Sequence, residues 1–244
     1  MKSLTIAAAA LMLTAGLAQA QTIRMGTEGA YAPYNFIDDA TGQVTGFEIE
    51  LGNALCERAG LECTWVRNDW DSIIPNLVSS NYDTIMAGMN INEERQEVIA
   101  FTQPYTPATP SAYAALSGDV DVEGGVVAAQ TNTIQAGYVA ETGATLIEFP
   151  NPDQAVAAVR NGEADAILAD RDFLAPIVAE SGGELVWVDG MDRVALGEGI
   201  GMGLRQSDIE LLATFDAQIT AMKEDGTLNE LIVKWFGDDA LIFE

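Results

Sequence analysis

Arg95 ends the run Ala87-Gly88-Met89-Asn90-Ile91-Asn92-Glu93-Glu94-Arg95, which leaves an apolar strand and enters a helix that Asn92 can cap. A cation in the first turn of a helix works against the macrodipole, which favours anions at that end, so Arg95 requires an anion. Its guanidinium fork fits a carboxylate through two parallel hydrogen bonds, beside N–H groups that a helix start leaves free. Either a ligand or a neighbouring carboxylate, Glu94 or Asp69, would satisfy it. A second strand-to-helix junction, Gln130-Thr131-Asn132-Thr133, offers hydroxyls and N–H groups to an anion and is equally an ordinary helix start. Asp170 follows the apolar run Ala166-Ile167-Leu168-Ala169. At a strand's carboxyl end it can pair with an ammonium group or cap the helix that begins at Arg171.

Glu28 stands just past the first expected strand, ahead of the tight aromatic loop Gly29-Ala30-Tyr31-Ala32-Pro33-Tyr34. Tyr31 and Trp70 can sandwich a flat or aliphatic side chain and hold a guanidinium by a cation–π attraction of roughly 0.5–2 kcal/mol. Either ring can instead belong to the core. The chain has no histidine and two cysteines, which excludes a histidine-based triad and a structural zinc site. Cys56 and Cys63 in an exported chain read as one small disulfide loop.

The elements that must position these residues alternate short apolar strands with amphipathic helices, the pattern of parallel sheets flanked by helices. Strands are expected over Thr22 to Gly26, Cys63 to Arg67 and Thr84 to Met89, with helices over Gly46 to Ala59, stopped by Gly60, and Ser72 to Ser80. A Pro-rich crossing, Gln103 to Pro110, leads to a second alternating unit. Its strands are Ser111 to Leu116, Val126 to Ala129, Thr145 to Phe149, Ala166 to Ala169 and Leu185 to Val188. Its helices start near Thr133, run from Pro152 to Asn161 behind the cap Asn151, and extend to Ser181. A Gly-rich crossing, Gly197 to Gly203, returns the chain to two helices, Ser207 to Asp225 and Thr227 to Phe236. The capping box Ser207-x-x-Glu210 opens the first of these and Gly226 closes it. Two units joined by two crossings describe two lobes, 21–110 with 203–244 and 111–202, whose strand ends face each other across a cleft suited to a small ligand.

Lys2, the apolar run Leu4 to Leu13 and the small residues Ala18 and Ala20 have the anatomy of a cleaved secretory signal over 1–20. Gln21 rather than Cys follows the expected cut, which argues against a lipid anchor, and no later stretch is long and apolar enough to span a bilayer. Of the 244 residues, 37 are acidic and 11 basic, a formal charge of −26. Such a surface repels nucleic acid and anionic lipid and draws cations towards it, while most of its carboxylates serve solubility.

Five motifs stand in this order along the chain: Thr27-Glu28-Gly29-Ala30-Tyr31-Ala32-Pro33-Tyr34, Gly46-Phe47-Glu48-Ile49-Glu50-Leu51, Trp70-Asp71-Ser72-Ile73-Ile74-Pro75-Asn76-Leu77, Met86-Ala87-Gly88-Met89-Asn90-Ile91 with Glu94-Arg95, and Phe101-Thr102-Gln103-Pro104-Tyr105. This set resembles the polar amino-acid-binding proteins of ABC importers, most nearly the arginine and lysine/arginine/ornithine binders. The resemblance covers nearly the whole mature chain. It implies a type II periplasmic-binding fold of α/β class, whose two lobes, each a mostly parallel sheet flanked by helices, close over a free amino acid.

The resemblance also implies the roles. Arg95 would clamp the α-carboxylate with Asn90 and with Thr133, beside Gln130, from the far lobe. Asp170 and the Gly88 carbonyl would take the α-ammonium, Glu28 the distal cation, and Tyr31 and Trp70 would flank the stem. A Cys56–Cys63 disulfide, a membrane-embedded ABC permease as partner, a periplasmic monomer, no cofactor and no catalysis complete the implied picture. Gly88 and Asn90 stand where several lysine/arginine/ornithine binders carry serines, although Ala-Gly-Met is usual among arginine binders. The stretch Gly118 to Gly125 is shorter and more acidic than the usual linker. A neutral polar amino acid such as glutamine, or an opine, is the alternative cargo. A dehydratase-like enzyme or a receptor sensor domain on the same fold is the alternative class.

Overall fold

Two strands in the middle of the chain, Ser111–Ala115 and Ala166–Asp170, are buried at every residue. Strands covered on both faces must be near-continuously apolar, and these two show why small residues recur there. The structure, a computed structural model, describes residues 22–244. The expected signal segment, 1–20, lies outside the described residues.

Two five-stranded sheets carry the molecule. The first runs Glu62–Arg67, Thr22–Thr27, Thr84–Ile85, Gly203–Arg205, Ile99–Phe101, and the second runs Thr145–Phe149, Val126–Gln130, Ala166–Asp170, Ser111–Ala115, Val186–Trp187. In each, the strand that arrives from a crossing, Gly203–Arg205 or Ser111–Ala115, is antiparallel to both neighbours. The remaining strands of each sheet therefore point one way, the expected mostly parallel arrangement. The chain passes from the first sheet to the second between Phe101 and Ser111 and returns between Trp187 and Gly203.

Helix Phe47–Ala59 buries Phe47, Leu51, Leu55 and Cys56 against the first sheet and ends at Gly60, whose φ of 67° is left-handed. Burying each of those large apolar side chains contributes about 1.5–3 kcal/mol. The Cys56–Cys63 disulfide is formed, with Cα atoms 6.2 Å apart, and ties this helix to the strand Glu62–Arg67. No helix among the described residues is long and apolar enough to cross a membrane.

Three sequence expectations change. The strand expected over Thr84 to Met89 stops at Ile85, because Gly88 turns the chain with a φ of 62° and its N–H bonds to Glu48 instead of to a neighbouring strand. The capping box at Ser207 does not form: Asp208 holds the N-cap position without a side-chain cap, and the Ser207 hydroxyl donates to Asp208. The aromatic loop after Glu28 is part of a small antiparallel sheet, Ala30–Tyr31, Asn35–Ile37 and Val44–Thr45, whose two- and three-residue strands carry no periodicity of their own.

Candidate functional site

Four strand ends converge between the sheets. Glu28 follows Thr22–Thr27, Gly88 and Asn90 follow Thr84–Ile85, Gln130 ends Val126–Gln130, and Asp170 ends Ala166–Asp170. The carboxyl ends of parallel strands present free backbone and turn residues to a common space, where ligands collect. All nine residues expected in the site, namely Glu28, Tyr31, Trp70, Gly88, Asn90, Arg95, Gln130, Thr133 and Asp170, line one small cavity. Ala87, Ile134 and Gln135 complete its walls.

Arg95 arrives as expected, in the one-turn helix Glu93–Gln96 with Asn92 capping its backbone N–H at 2.8 Å. Arg95 is 8 % exposed, and no carboxylate among the described residues lies within 4.0 Å of its guanidinium, neither Glu94 nor Asp69. Nη1 donates to the Asn90 carbonyl at 2.6 Å and Nη2 crosses to the Asn132 carbonyl at 3.0 Å. Trp70 lies under the cation at 5.3 Å and donates its indole N–H across the cleft to the Thr131 carbonyl at 3.0 Å. Burial brings the Arg95 pKa down to about 10, opposed by Asp170 and Glu94 at longer range.

Asp170 is 3 % exposed and accepts from three side chains: Tyr31 hydroxyl at 2.8 Å, Gln135 Nε2 at 2.9 Å and Asn90 Nδ2 at 3.3 Å. Burial pushes its carboxyl up to about 6, against the pull of the Tyr31 and Asn90 donors. Tyr31 is also stacked on Phe173 of the far lobe, with ring centroids 4.4 Å apart and planes 3° from parallel. One face of the ring is thus already covered, and its hydroxyl is aimed by Asp170. Thr133 caps the helix Ile134–Ala140: its hydroxyl donates to the Gln130 carbonyl and accepts the Ala136 N–H.

Glu28 is 7 % exposed, and Gln130 Nε2, at 2.7 Å, is its side-chain partner. Burial pushes its carboxyl up to about 7; Gln130 pulls it down, and Asp153, Asp69 and Asp71 push it further up. The cleft therefore holds a buried cation at one end and, elsewhere, two buried carboxylates whose partners are uncharged amides and a hydroxyl. Burying a charge is costly unless it is paired, so each of these groups is suited to an opposite charge.

Beneath the site lies a carboxylate with no exposure, Glu48. It accepts the Gly88 N–H at 2.8 and 3.0 Å, the Asn35 amide at 2.7 Å, and the Tyr105 hydroxyl. Asn35 in turn accepts the Gly29 N–H at 2.7 Å, so one acid fixes the loops that carry both Glu28 and Gly88. At Gly88 an added Cβ would come within 2.9 Å of the Tyr31 ring, so the glycine allows the ring its place. Spacing arguments missed Gln135 and the supporting part of Glu48. The available signal was a polar residue on an apolar helix face: Glu48 shares a face with Leu51 and Leu55, and Gln135 with Val139.

Residues 23–238 match the family described as bacterial extracellular solute-binding proteins, family 3. The lysine/arginine/ornithine-binding periplasmic protein of Escherichia coli K12 is 32 % identical, over 93 % of this chain and 95 % of that protein. The octopine-binding periplasmic protein of Rhizobium meliloti is also 32 % identical, over 98 % of this chain and 99 % of its own. A crystal structure of a periplasmic His/Glu/Gln/Arg/opine family-binding protein from Silicibacter pomeroyi, in complex with lysine, superposes with a TM-score of 0.88. It is 68 % identical and covers 91 % of this chain and 100 % of its own.

Proposed function

Because the chain belongs to the family 3 extracellular solute-binding proteins of bacteria, we propose that it captures a free basic L-amino acid and hands it unchanged to a membrane-embedded ABC permease. Arginine, lysine and ornithine are the cargo class. The observation that carries this reading is the charge pattern of the closed cleft: Arg95 without a carboxylate, Asp170 and Glu28 without a cation, all nine-tenths buried. A zwitterion with a cationic tail supplies all three missing charges at once.

In this reading Arg95 exchanges backbone carbonyls for the α-carboxylate, and Asp170 with the Gly88 carbonyl takes the α-ammonium. Glu28 takes the tail, while Trp70 and the free edge of Tyr31 flank the stem. Arg95 and Glu28 belong to the first lobe, and Asp170, Gln130 and Thr133 to the second, so the ligand bridges the lobes and holds them closed. Lysine bound to the 68 % identical relative and the names of the curated relatives support the basic class. Export through removal of 1–20 would place the protein in the periplasm, as those relatives are named.

Thermal stabilisation of the purified mature protein tests this, because a ligand that binds the native state alone raises its melting temperature by mass action. Arginine, lysine or ornithine should raise it by several degrees, while glutamine and citrulline at neutral pH should raise it far less. Arginine recovered chemically intact after incubation supports binding without turnover. Equal shifts for all amino acids would remove the basic reading.

A further inference from the structure

Glu28 is a buried acid of the cleft on which the neighbouring charges that act are acidic. Gln130 closes one side with a neutral amide at 2.7 Å. Asp153, from the first turn of helix Pro152–Arg160, and Asp69 and Asp71, from the segment ahead of helix Ile73–Val78, face it with negative charge. The cations nearby are engaged elsewhere or unpaired with it: Arg160 pairs with Glu184 at 3.3 Å and acts on Asp153 only through space, and Arg67, which lies against Gly29, forms no ion pair with Glu28. A carboxylate closed into this space must meet a cation or take up a proton. The ligand decides which.

We propose that the proton on Glu28 selects between two ligand classes in this one site: amino acids with a cationic tail when the carboxylate is ionised, and amino acids with a neutral carbamoyl tail when it is protonated. The inference rests on the amino-acid-capture reading and extends its substrate class. A carboxylic acid and a carbamoyl group are complementary, since the acid O–H donates to the carbamoyl oxygen while the acid carbonyl accepts a carbamoyl N–H. Gln130 Nε2 can keep its bond to Oε1 in either state, because a carbonyl oxygen has two lone pairs. Closure over a neutral tail reproduces the burial that pushes Glu28 up to about 7, so such closure takes up a proton near neutral pH. Closure over a cationic tail takes up none. The α-carboxylate and α-ammonium meet Arg95 and Asp170 identically in both classes, so their contributions cancel in the ratio of the two affinities.

Calorimetric titration of the wild-type mature protein with arginine and with citrulline, at about pH 5.5 and about pH 8.5, tests the proposal. The arginine-to-citrulline affinity ratio should rise on the order of tenfold or more from the lower to the higher pH, since each unit by which closure shifts a pKa changes affinity up to tenfold. Glu28→Gln, which imitates the protonated acid, should remove the pH dependence of the ratio and favour citrulline at both values. The wild-type series decides the matter alone if that variant does not fold. An unchanged ratio with arginine still bound overturns proton selection and leaves amino-acid capture standing. Failure of both ligands to bind at either pH overturns the capture reading, and this inference with it.

Discussion

Arg95 and Asp170 show what a site residue of this kind needs from its neighbours. Arg95 is charged and buried, yet its hydrogen bonds go to main-chain carbonyls of Asn90 and Asn132, which are weaker partners than a carboxylate and can be exchanged for one. Truncating one member of a buried, hydrogen-bonded charge pair costs about 2–5 kcal/mol, much of it from the charge left behind. Arg95→Ala should therefore weaken arginine binding by on the order of a hundredfold or more in a calorimetric titration. Arg95→Lys should recover only part of the loss, because an ammonium keeps the charge but not the two parallel hydrogen bonds. Full recovery by lysine would show that Arg95 contributes charge alone. The place of Arg95 in the first turn of an Asn92-capped helix was legible in the sequence. Its freedom from Glu94 and Asp69 was not, since spacing along the chain does not say which way a long side chain turns.

Short elements place these residues, and they divide sharply into those that announce themselves and those that do not. Asn92 and Asn151 cap their helices as the sequence pattern requires, and the buried runs at 126–130 and 166–170 form strands where their apolar content says they should. Ile99–Phe101 and Gly203–Arg205 have three residues each and exist because they pair with one another, Gly203–Arg205 also pairing with Thr84–Ile85, partners far away in sequence. No local pattern reports such pairing. Helix Ile134–Ala140 is a second case: its start at Thr133 was legible, but the part played by Gln135, two residues on, was not. Gln135 is 3 % exposed, and its single Nε2 donates to Asp170 and to Ser111, the first residue of the strand that leaves the crossing, both at 2.9 Å. It holds Asp170 in position from behind. Gln135→Met keeps the length and removes the donors, and should weaken arginine about tenfold while leaving its analogue without the α-amino group unaffected. A hydrogen bond to a charged group is worth about 1.5–3 kcal/mol, which sets that magnitude. Equal losses for both ligands would mean that Gln135 supports the lobe and not the amine subsite.

Across the whole molecule, a formal charge of −26 and a cleft that closes on charged groups act in the same direction. Long-range attraction speeds the arrival of a cationic ligand and is screened over about 10 Å at 0.1 M salt. The association rate constant for arginine, followed by stopped-flow fluorescence of the tryptophans, should fall as salt rises, while that for zwitterionic citrulline should hardly move. Closure itself carries a pH dependence whose sign is fixed by the raised carboxyls, Glu28 at about 7 and Asp170 at about 6. Solvated in an open cleft, the same groups titrate near 4. The closed form thus binds protons more tightly than the open form, so its advantage is full below about pH 4 and is lost as pH rises through 6 and 7. Protonation relieves the buried charge in the unliganded protein, and an amino acid's own cations do so when it binds. Small-angle scattering should therefore give a smaller radius of gyration for the unliganded protein at about pH 5 than at about pH 8, and arginine at the higher pH should restore the compact value. Identical radii at both pH values without ligand would show that burying Glu28 and Asp170 does not govern closure, and that the lobes are held together chiefly by neutral contacts such as Tyr31 on Phe173 and Trp70 on Thr131.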